Sequence, residues 1–375
     1  MQWLNNIRQI GKATHTCRMW YHVLRVVMPH KTTTLSLEEA EHIMEQRYAD
    51  KGSTCVKTNT IAAHPEYDLE IIVPVYNAAN YLETCIESIN SQVTNYRFHA
   101  TFINDGSTDA SADILRQHEH DEHITILTQQ NRGVSAARNQ ALAHINARYV
   151  MFVDADDLLH HDAISNLMDK AYEQNADIVE GSIATTDGTT EKPFIQHTYN
   201  NDAHNLTGYV CSKVFAAHLF EHIGFPEGYR YEDTILSFIL YPIAHNMATI
   251  SPITYLYRQH ATSFTSCEQG NYAILDAYWV VRQVVKTAVE RVPAERHNQV
   301  YEAFLTGMKL SGGRLTSLDS KTHLAYFTAM CELANHYFPT HTIIPADKSH
   351  LALAAIDEAL RNKDFTHYLL ASNLL

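Results

Sequence analysis

Between Leu69 and Ser182 the sequence switches repeatedly between two periods, and this constrains the fold more than any other feature. Short β-branched runs read as strands: "LEIIVPVY", "FHATFIND", "HITILTQ", "YVMFVDADD" and "ADIVEGS". Between them lie stretches with apolar residues at helical spacing, such as "YLETCIESINSQ", where Leu82, Cys85, Ile86 and Ile89 share one face. Strands alternating with helices of this length predict βαβ units. The expected fold is therefore α/β, with a mostly parallel, Rossmann-like sheet and helices on both faces. Residues 183–203 are polar and Thr-rich and read as an exposed loop. "YEDTILSFILYPIA" reads as a helix, and "ISPITYLYRQH" as a short strand and its exit. From about Asn271 the pattern is mostly helical. Upstream, "SLEEAEHIMEQRYA" reads as a helix opened by Ser36, with Glu38 and Glu39 in its first turn. The expected division is an N-terminal basic and helical extension over residues 1–68, the sheet domain over 69–268, and a helical C-terminal domain over 269–375.

In an open α/β sheet the ligand crevice lies at the carboxyl ends of the strands. Here the first strand ends at Val75-Tyr76-Asn77, the second at Asn104-Asp105-Gly106-Ser107, and the fourth at Asp154-Ala155-Asp156-Asp157. An aromatic ring, a lone carboxylate and an acidic cluster are thus aimed at one crevice. Asp-x-Asp on a tight turn suits Mg²⁺ or Mn²⁺, which take one or two carboxylates and fill their other positions with water and phosphate oxygens. An isolated acidic turn is more often merely solvated. Its place after an apolar strand, opposite Asp105, favours the cation.

Composition bounds the partners. A net charge of −14 over 375 residues argues against a nucleic-acid partner. The six cysteines have no CxxC spacing, which fits reduced thiols and a cytoplasmic location better than a disulfide framework. Residues 1–31 carry Arg8, Lys12, Arg18, Arg25 and Lys31 and no acid. No apolar run there approaches the ~20 residues of a membrane span, and no cleavage site of a signal peptide is seen. This basic stretch, with its Trp and Leu residues, either docks as a helix on its own domain or lies on an anionic membrane surface at the inner face.

Taken together, "IIVPVYNAANYLETCIESINSQ", "INDGSTDAS", "NRGVSAARNQAL", "FVDADD" and "YEDTILSF" resemble the inverting family 2 glycosyltransferases with a GT-A fold, of the bacterial surface-polysaccharide type. The resemblance covers about residues 69 to 265. It implies a hexosyl- or N-acetylhexosaminyl-transferase that takes a nucleotide-sugar donor, in all expectation a UDP-sugar, and a glycan or lipid-linked acceptor. Pro74, Val75, Tyr76 and Asn77 would line the base, and Asp105 would accept a hydrogen bond from its ring N–H. Asn131, Gly133 and Arg138 would contact the nucleotide. Asp154 and Ala155 would face the ribose, Asp154 and Asp156 would hold Mn²⁺ or Mg²⁺, and His260 would add a metal or phosphate contact. Asp233 would be the catalytic base, with Glu232 beside it. Read alone, Glu232-Asp233 is better explained as a helix N-terminus, where acids are favoured. Lys213 and Arg258 would steer phosphate or acceptor, or be solvated surface charges. The alternatives are a catalytically inactive subunit that binds nucleotide or glycan, and a haloacid-dehalogenase-like phosphohydrolase. The second also carries Asp-x-Asp after an apolar strand, but leaves "VPVYN" and "NDGS" unexplained.

Overall fold

The computed structural model describes residues 2–14, 16–200, 206–259, 271–343 and 348–375. His260 lies outside the described residues. The chain forms two compact units. One comprises Ser53–Gly228 and Ile243–Ser263; the other comprises Met1–Gly52, Tyr229–Pro242 and Phe264–Leu375.

The first unit is built on a mixed sheet. A two-residue strand, β1 (Thr60–Ile61), pairs with another, β5 (His144–Ile145), outside that sheet. The main strands are β2 (Tyr67–Val75), β3 (Phe98–Asn104), β4 (Ile124–Thr128), β6 (Ala147–Phe152), β7 (Leu158–Leu159), β8 (Ile178–Thr186), β9 (Glu191–Ile195), β10 (Lys213–Ala216) and β11 (Met247–Arg258). Their order is β4-β3-β2-β6-β10-β8-β11-β7, with β9 added on β8. Strands β4, β3, β2 and β6 are mutually parallel, as the βαβ pattern requires. Strand β10 is antiparallel to both its neighbours, β11 runs parallel to β8, and β7 closes antiparallel on β11.

Alternate residues of the central strands go to opposite faces. Ile71, Val73, Val75, Met151 and Val153 join one buried cluster with Leu82, Cys85, Ile86 and Ile89 of helix α4 (Leu82–Asn90) and Ile164, Leu167 and Met168 of helix α7 (Ala163–Gln174). Each such side chain stabilises the unit by about 1.5–3 kcal/mol relative to exposure. On the other face helix α6 (Val134–Leu142) lies against β2 and β3, and Phe152 packs edge-on to Phe215, Phe220 and Phe225.

Two expectations need correction here. Residues 183–203 are not one loop, because β8 continues to Thr186 and turns through Gly188 into β9. The last strand is not short either: β11 spans 12 residues.

The second unit is helical. Helices α1 (Gln2–Thr14), α2 (Cys17–Val27) and α3 (Leu37–Glu45) are followed by the helical turns of Leu236–Leu240 and by helices Asp276–Arg291, His297–Leu315, Ser320–Tyr337, Lys348–Arg361 and Phe365–Leu374. Ser36 and Glu39 form a reciprocal capping box on α3, as their spacing predicts. Helix α2 docks through buried Tyr21, whose hydroxyl meets His367 at 2.7 Å. The other side of α2 leaves Met19, Val23, Val26 and Val27 in solvent. Among the described residues no helix is long and apolar enough to cross a membrane.

Candidate active site

Because β3, β2 and β6 are adjacent and parallel, their carboxyl ends meet. Three of the predicted clusters therefore come together on the sheet unit. At the end of β2, Pro74 is half-buried, Val75 is buried and Tyr76 is 52% exposed. Asn77 takes the left-handed region, with φ 51°, which Asn tolerates. Its carboxamide oxygen accepts from the Thr108 N–H at 2.8 Å, and its own N–H donates to Ser107 Oγ at 3.2 Å. The β2 and β3 exits are thus tied to each other, and Tyr76 stands out between them.

Asp105 is 2% exposed. Its Oδ1 accepts from Gln129 Nε2 at 2.6 Å and from the Arg132 N–H at 2.8 Å, and its Oδ2 accepts from the Gly133 N–H at 2.8 Å. The carboxylate thus holds the 129–133 segment that leads into α6. A carboxylate offers about four acceptor positions, and three are used on this segment. Gly106 is required beside it: φ is +70°, and a Cβ would sit 2.8 Å from the Asn131 nitrogen. The approach brings Asn131 and Gly133 to the β3 exit.

From α6, buried Arg138 reaches the acidic turn, its Nη2 lying 3.0 Å from Asp154 Oδ1. Its guanidinium also sits 5.2 Å from the Phe225 ring centre and 5.9 Å from that of Phe152. Asp154 is 40% exposed at its side chain, Ala155 is buried, and Asp156 is half-buried. Asp157, which the sequence does not separate from its neighbours, behaves differently. It is 1% exposed and turned inward, accepting from the Tyr255 hydroxyl and the Arg258 N–H, both at 2.7 Å. The same tyrosine oxygen accepts the Asp154 N–H at 3.1 Å. Tyr255 and Asp157 together clamp the turn from below. Burial first, then the neighbouring Asp154 and Asp156 carboxylates, push the Asp157 carboxyl up to about 8. Asp154 and Asp156 are what the turn offers outward: two hard oxygen donors of the kind that Mg²⁺ or Mn²⁺ accept, one of them already balanced by Arg138.

Glu232 and Asp233 belong to the helical unit, where the Asp233 carbonyl accepts the Leu236 N–H at the start of the helical turns. Lys213 is not a surface charge. It is fully buried and paired with buried Glu180 at 2.8 Å, and it donates to the Tyr209 carbonyl at 2.6 Å. Arg258 lies 5.0 Å from the Tyr81 ring centre and donates to Thr84 Oγ1 at 3.0 Å. Beyond the predicted set, His160, His161 and Asp162 bring ligand atoms within 4.8 Å of one another just before α7. Their run in the sequence is the only signal that could have found them.

Comparison with known proteins agrees with this architecture. Residues 70–239 match the family model "Glycosyl transferase family 2". Glycosyltransferase GlyA of Streptococcus pneumoniae is 28% identical over 341 residues, which is 81% of this chain and 48% of GlyA. The minor teichoic acid biosynthesis protein GgaB of Bacillus subtilis is 21% identical over 81% of this chain and 36% of its own length. The chain therefore spans half or less of these two relatives. Among solved structures, S. aureus TarS 1-349 in complex with UDP-GlcNAc shares the fold, with a TM-score of 0.62 at 16% identity, over 81% of this chain and 90% of that one. The family match runs from the β2 strand through the acidic turn to the segment holding Asp233, and it is this part of the chain that is similar to the family 2 glycosyltransferases.

Proposed function

We propose that this chain transfers a sugar from a nucleotide-sugar donor, a UDP-sugar, to a hydroxyl group of a glycan or lipid-linked acceptor, with inversion at the anomeric carbon. The observation that carries this is the Asp154–Asp156 turn, linked to Arg138 and set at strand ends shared with Tyr76 and Asp105. In this reading Tyr76 gives the base a ring to lie against, and Pro74, Val75 and Asn77 shape the floor. Asp105 either accepts from the base through its remaining acceptor position or orders Asn131 and Gly133 around it. Arg138 holds Asp154 toward the ribose, and Asp156 with Asp154 would hold Mn²⁺ or Mg²⁺. Such a cation, when bound, neutralises charge on the departing diphosphate. Asp233 takes the proton from the acceptor hydroxyl as its oxygen bonds to the anomeric carbon and the bond to the diphosphate breaks, and Glu232 supports it. Base catalysis of this kind is worth about 10²–10⁴-fold. No enzyme nucleophile is needed.

The relatives' part in surface polymers and the donor named for TarS support a surface polysaccharide as product and a UDP-sugar as donor. We place the transferase domain at residues 69–268, between the basic extension 1–68 and the helical 269–375. We also place the chain in the cytoplasm, at the inner membrane face. Exposed Met19, Val23, Val26 and Val27 on α2, with Arg18 and Lys12 also in solvent, would rest on anionic lipid.

The test is a panel of nucleotide sugars with Mn²⁺, scoring released nucleotide, for the wild type and Asp156→Ala. One donor should be turned over, and the variant should lose Mn²⁺-dependent nucleotide affinity. Tight UDP binding with no turnover of any donor would instead make the chain an inactive binding subunit. Sedimentation with anionic vesicles at low and high salt checks the membrane placement, and salt-insensitive binding would refute its electrostatic part.

A further inference from the structure

Two charged side chains of the sheet unit are fully buried, and the acidic turn does not use them. Lys213 opens β10 and Glu180 stands on β8, with no side-chain exposure at either and 2.8 Å between Nζ and Oε1. Burial alone would raise the Glu180 carboxyl, yet Lys213, His197 and Thr207 hold it below the usual carboxylate range, which keeps it ionised. Replacing such a pair by apolar residues of the same volume is often neutral or stabilising. Stability alone does not account for these charges.

Their polar atoms hold one segment. Glu180 accepts the Thr207 N–H at 2.8 Å and also the Thr207 hydroxyl. Lys213 donates to Thr207 Oγ1 at 3.0 Å and to the Tyr209 carbonyl at 2.6 Å. Ser212, in the left-handed region at φ 61°, is held in turn. Its Oγ donates to the Gly181 carbonyl at 2.9 Å and lies 2.7 Å from Thr254 Oγ1. Residues 207–212 are thus fixed at both ends. Their place follows from the sheet. Strand β10 is antiparallel to β6, with Val214 opposite Met151, so the residues ahead of Val214 run beside the chain that leaves β6 for Asp154. Burial first, then the Asp154 carboxylate, push the Cys211 thiol up, as that neighbourhood requires. Along the sheet the order is β3, β2, β6, β10. With the base at the β3 and β2 exits and the diphosphate at the turn after β6, the group carried beyond the diphosphate reaches the entry of β10.

We propose that the Glu180–Lys213 pair is the positioning device for the sugar of the donor: it fixes residues 207–212 beside the acidic turn, and this segment discriminates among sugars attached to one nucleotide. The inference rests on the transferase reading for its ligand, and its test reads binding rather than turnover.

The experiment is competition against labelled UDP, on the full chain with Mn²⁺, by UDP, UDP-glucose, UDP-galactose and their two N-acetylhexosamine counterparts. Wild type should prefer one of the four sugars. Glu180→Gln with Lys213→Met removes both charges at nearly constant volume and should narrow that preference about tenfold, with UDP affinity unchanged. Thr207→Val keeps the ion pair and loses only the hydroxyl link. It should narrow the preference about threefold, and it decides the matter if the double variant does not fold. An unchanged preference in the folded variants, a parallel fall in UDP affinity, or a wild type that binds no UDP or is indifferent to the sugar overturns the proposal. If preference narrows as stated while wild type turns over no donor, the transferase reading fails and the positioning role stands. If a donor is turned over and the preference is unmoved, the reverse holds.

Discussion

Both units bury carboxylates, but they use them for different ends. In the sheet unit Asp105 and Asp157 sit at the carboxyl ends of parallel strands and accept from backbone N–H groups of other segments, so they shape a crevice. In the helical unit the same side chain staples helices. Asp357 accepts from the Tyr301 hydroxyl at 2.6 Å and pairs with Arg361 at 2.8 Å. Asp364 caps its helix by accepting the His367 N–H and pairs with His30. Burial alone therefore does not single out the carboxylates at the strand ends. Electrostatics repeats the lesson. Burial drives the Asp157 carboxyl up to about 8 and the His323 imidazole down to about 3, each toward its neutral form. The Asp157 carboxyl is also crowded by the Asp154 and Asp156 carboxylates.

The sharpest way to break the comparison is Asp233→Asn. We expect turnover to fall by about 10²–10⁴-fold with nucleotide affinity unchanged; unchanged turnover in a single-turnover assay would remove Asp233 as the base. A smaller effect comes from Gly106→Ala, which sets a Cβ against the Asn131 nitrogen in a left-handed backbone. It should cost about 1–3 kcal/mol in chemical denaturation and weaken UDP binding.

Next is a matched pair. Tyr255→Phe and Tyr301→Phe each strip a hydroxyl from a buried aspartate. Both should lower stability by about 1–3 kcal/mol. Only Tyr255→Phe, by loosening the turn, should raise the Mn²⁺ concentration needed for half-maximal turnover. A shift of equal size in Tyr301→Phe would erase the distinction between crevice and staple.

The mildest is a pH effect. His323 packs edge-on to Phe365 and Tyr368, and burial lowers its pKa from 6.5 to about 3. The unfolded chain therefore binds the extra proton between those values, and stability falls as pH drops through that window, by up to ~1.4 kcal/mol per unit. His323→Gln should flatten this acid-side slope in calorimetric Tm values.

The sequence made the crevice legible because its strands are apolar and its carboxylates follow them directly. Ile71 to Val75, Ala100 to Ile103 and Val150 to Val153 announce buried central strands, and Asp105 and Asp154 then lie at the ends of the second and third of these. Strand β9 stayed hidden because it is an edge strand with exposed side chains and carries Pro193, so neither apolar alternation nor β-propensity marks it. Lys213 reads as a steering cation or a surface charge, and not as a buried one, because burial of a lysine depends on Glu180, some 30 positions away and visible only once β8 and β10 pair. Asp157 shares its letter with Asp154 and Asp156. Which way each one faces is decided by Tyr255, on a strand that folds back from a distant part of the chain.

One consequence of the Asp105 anchorage bears on redesign. Asp105 is the hinge pin of the segment that feeds α6, and α6 delivers Arg138 to the acidic turn. On the proposed function, a substitution at Asp105 made to alter donor preference would therefore unsettle Arg138 and Asp154 in the same stroke, whereas one at exposed Tyr76 would not.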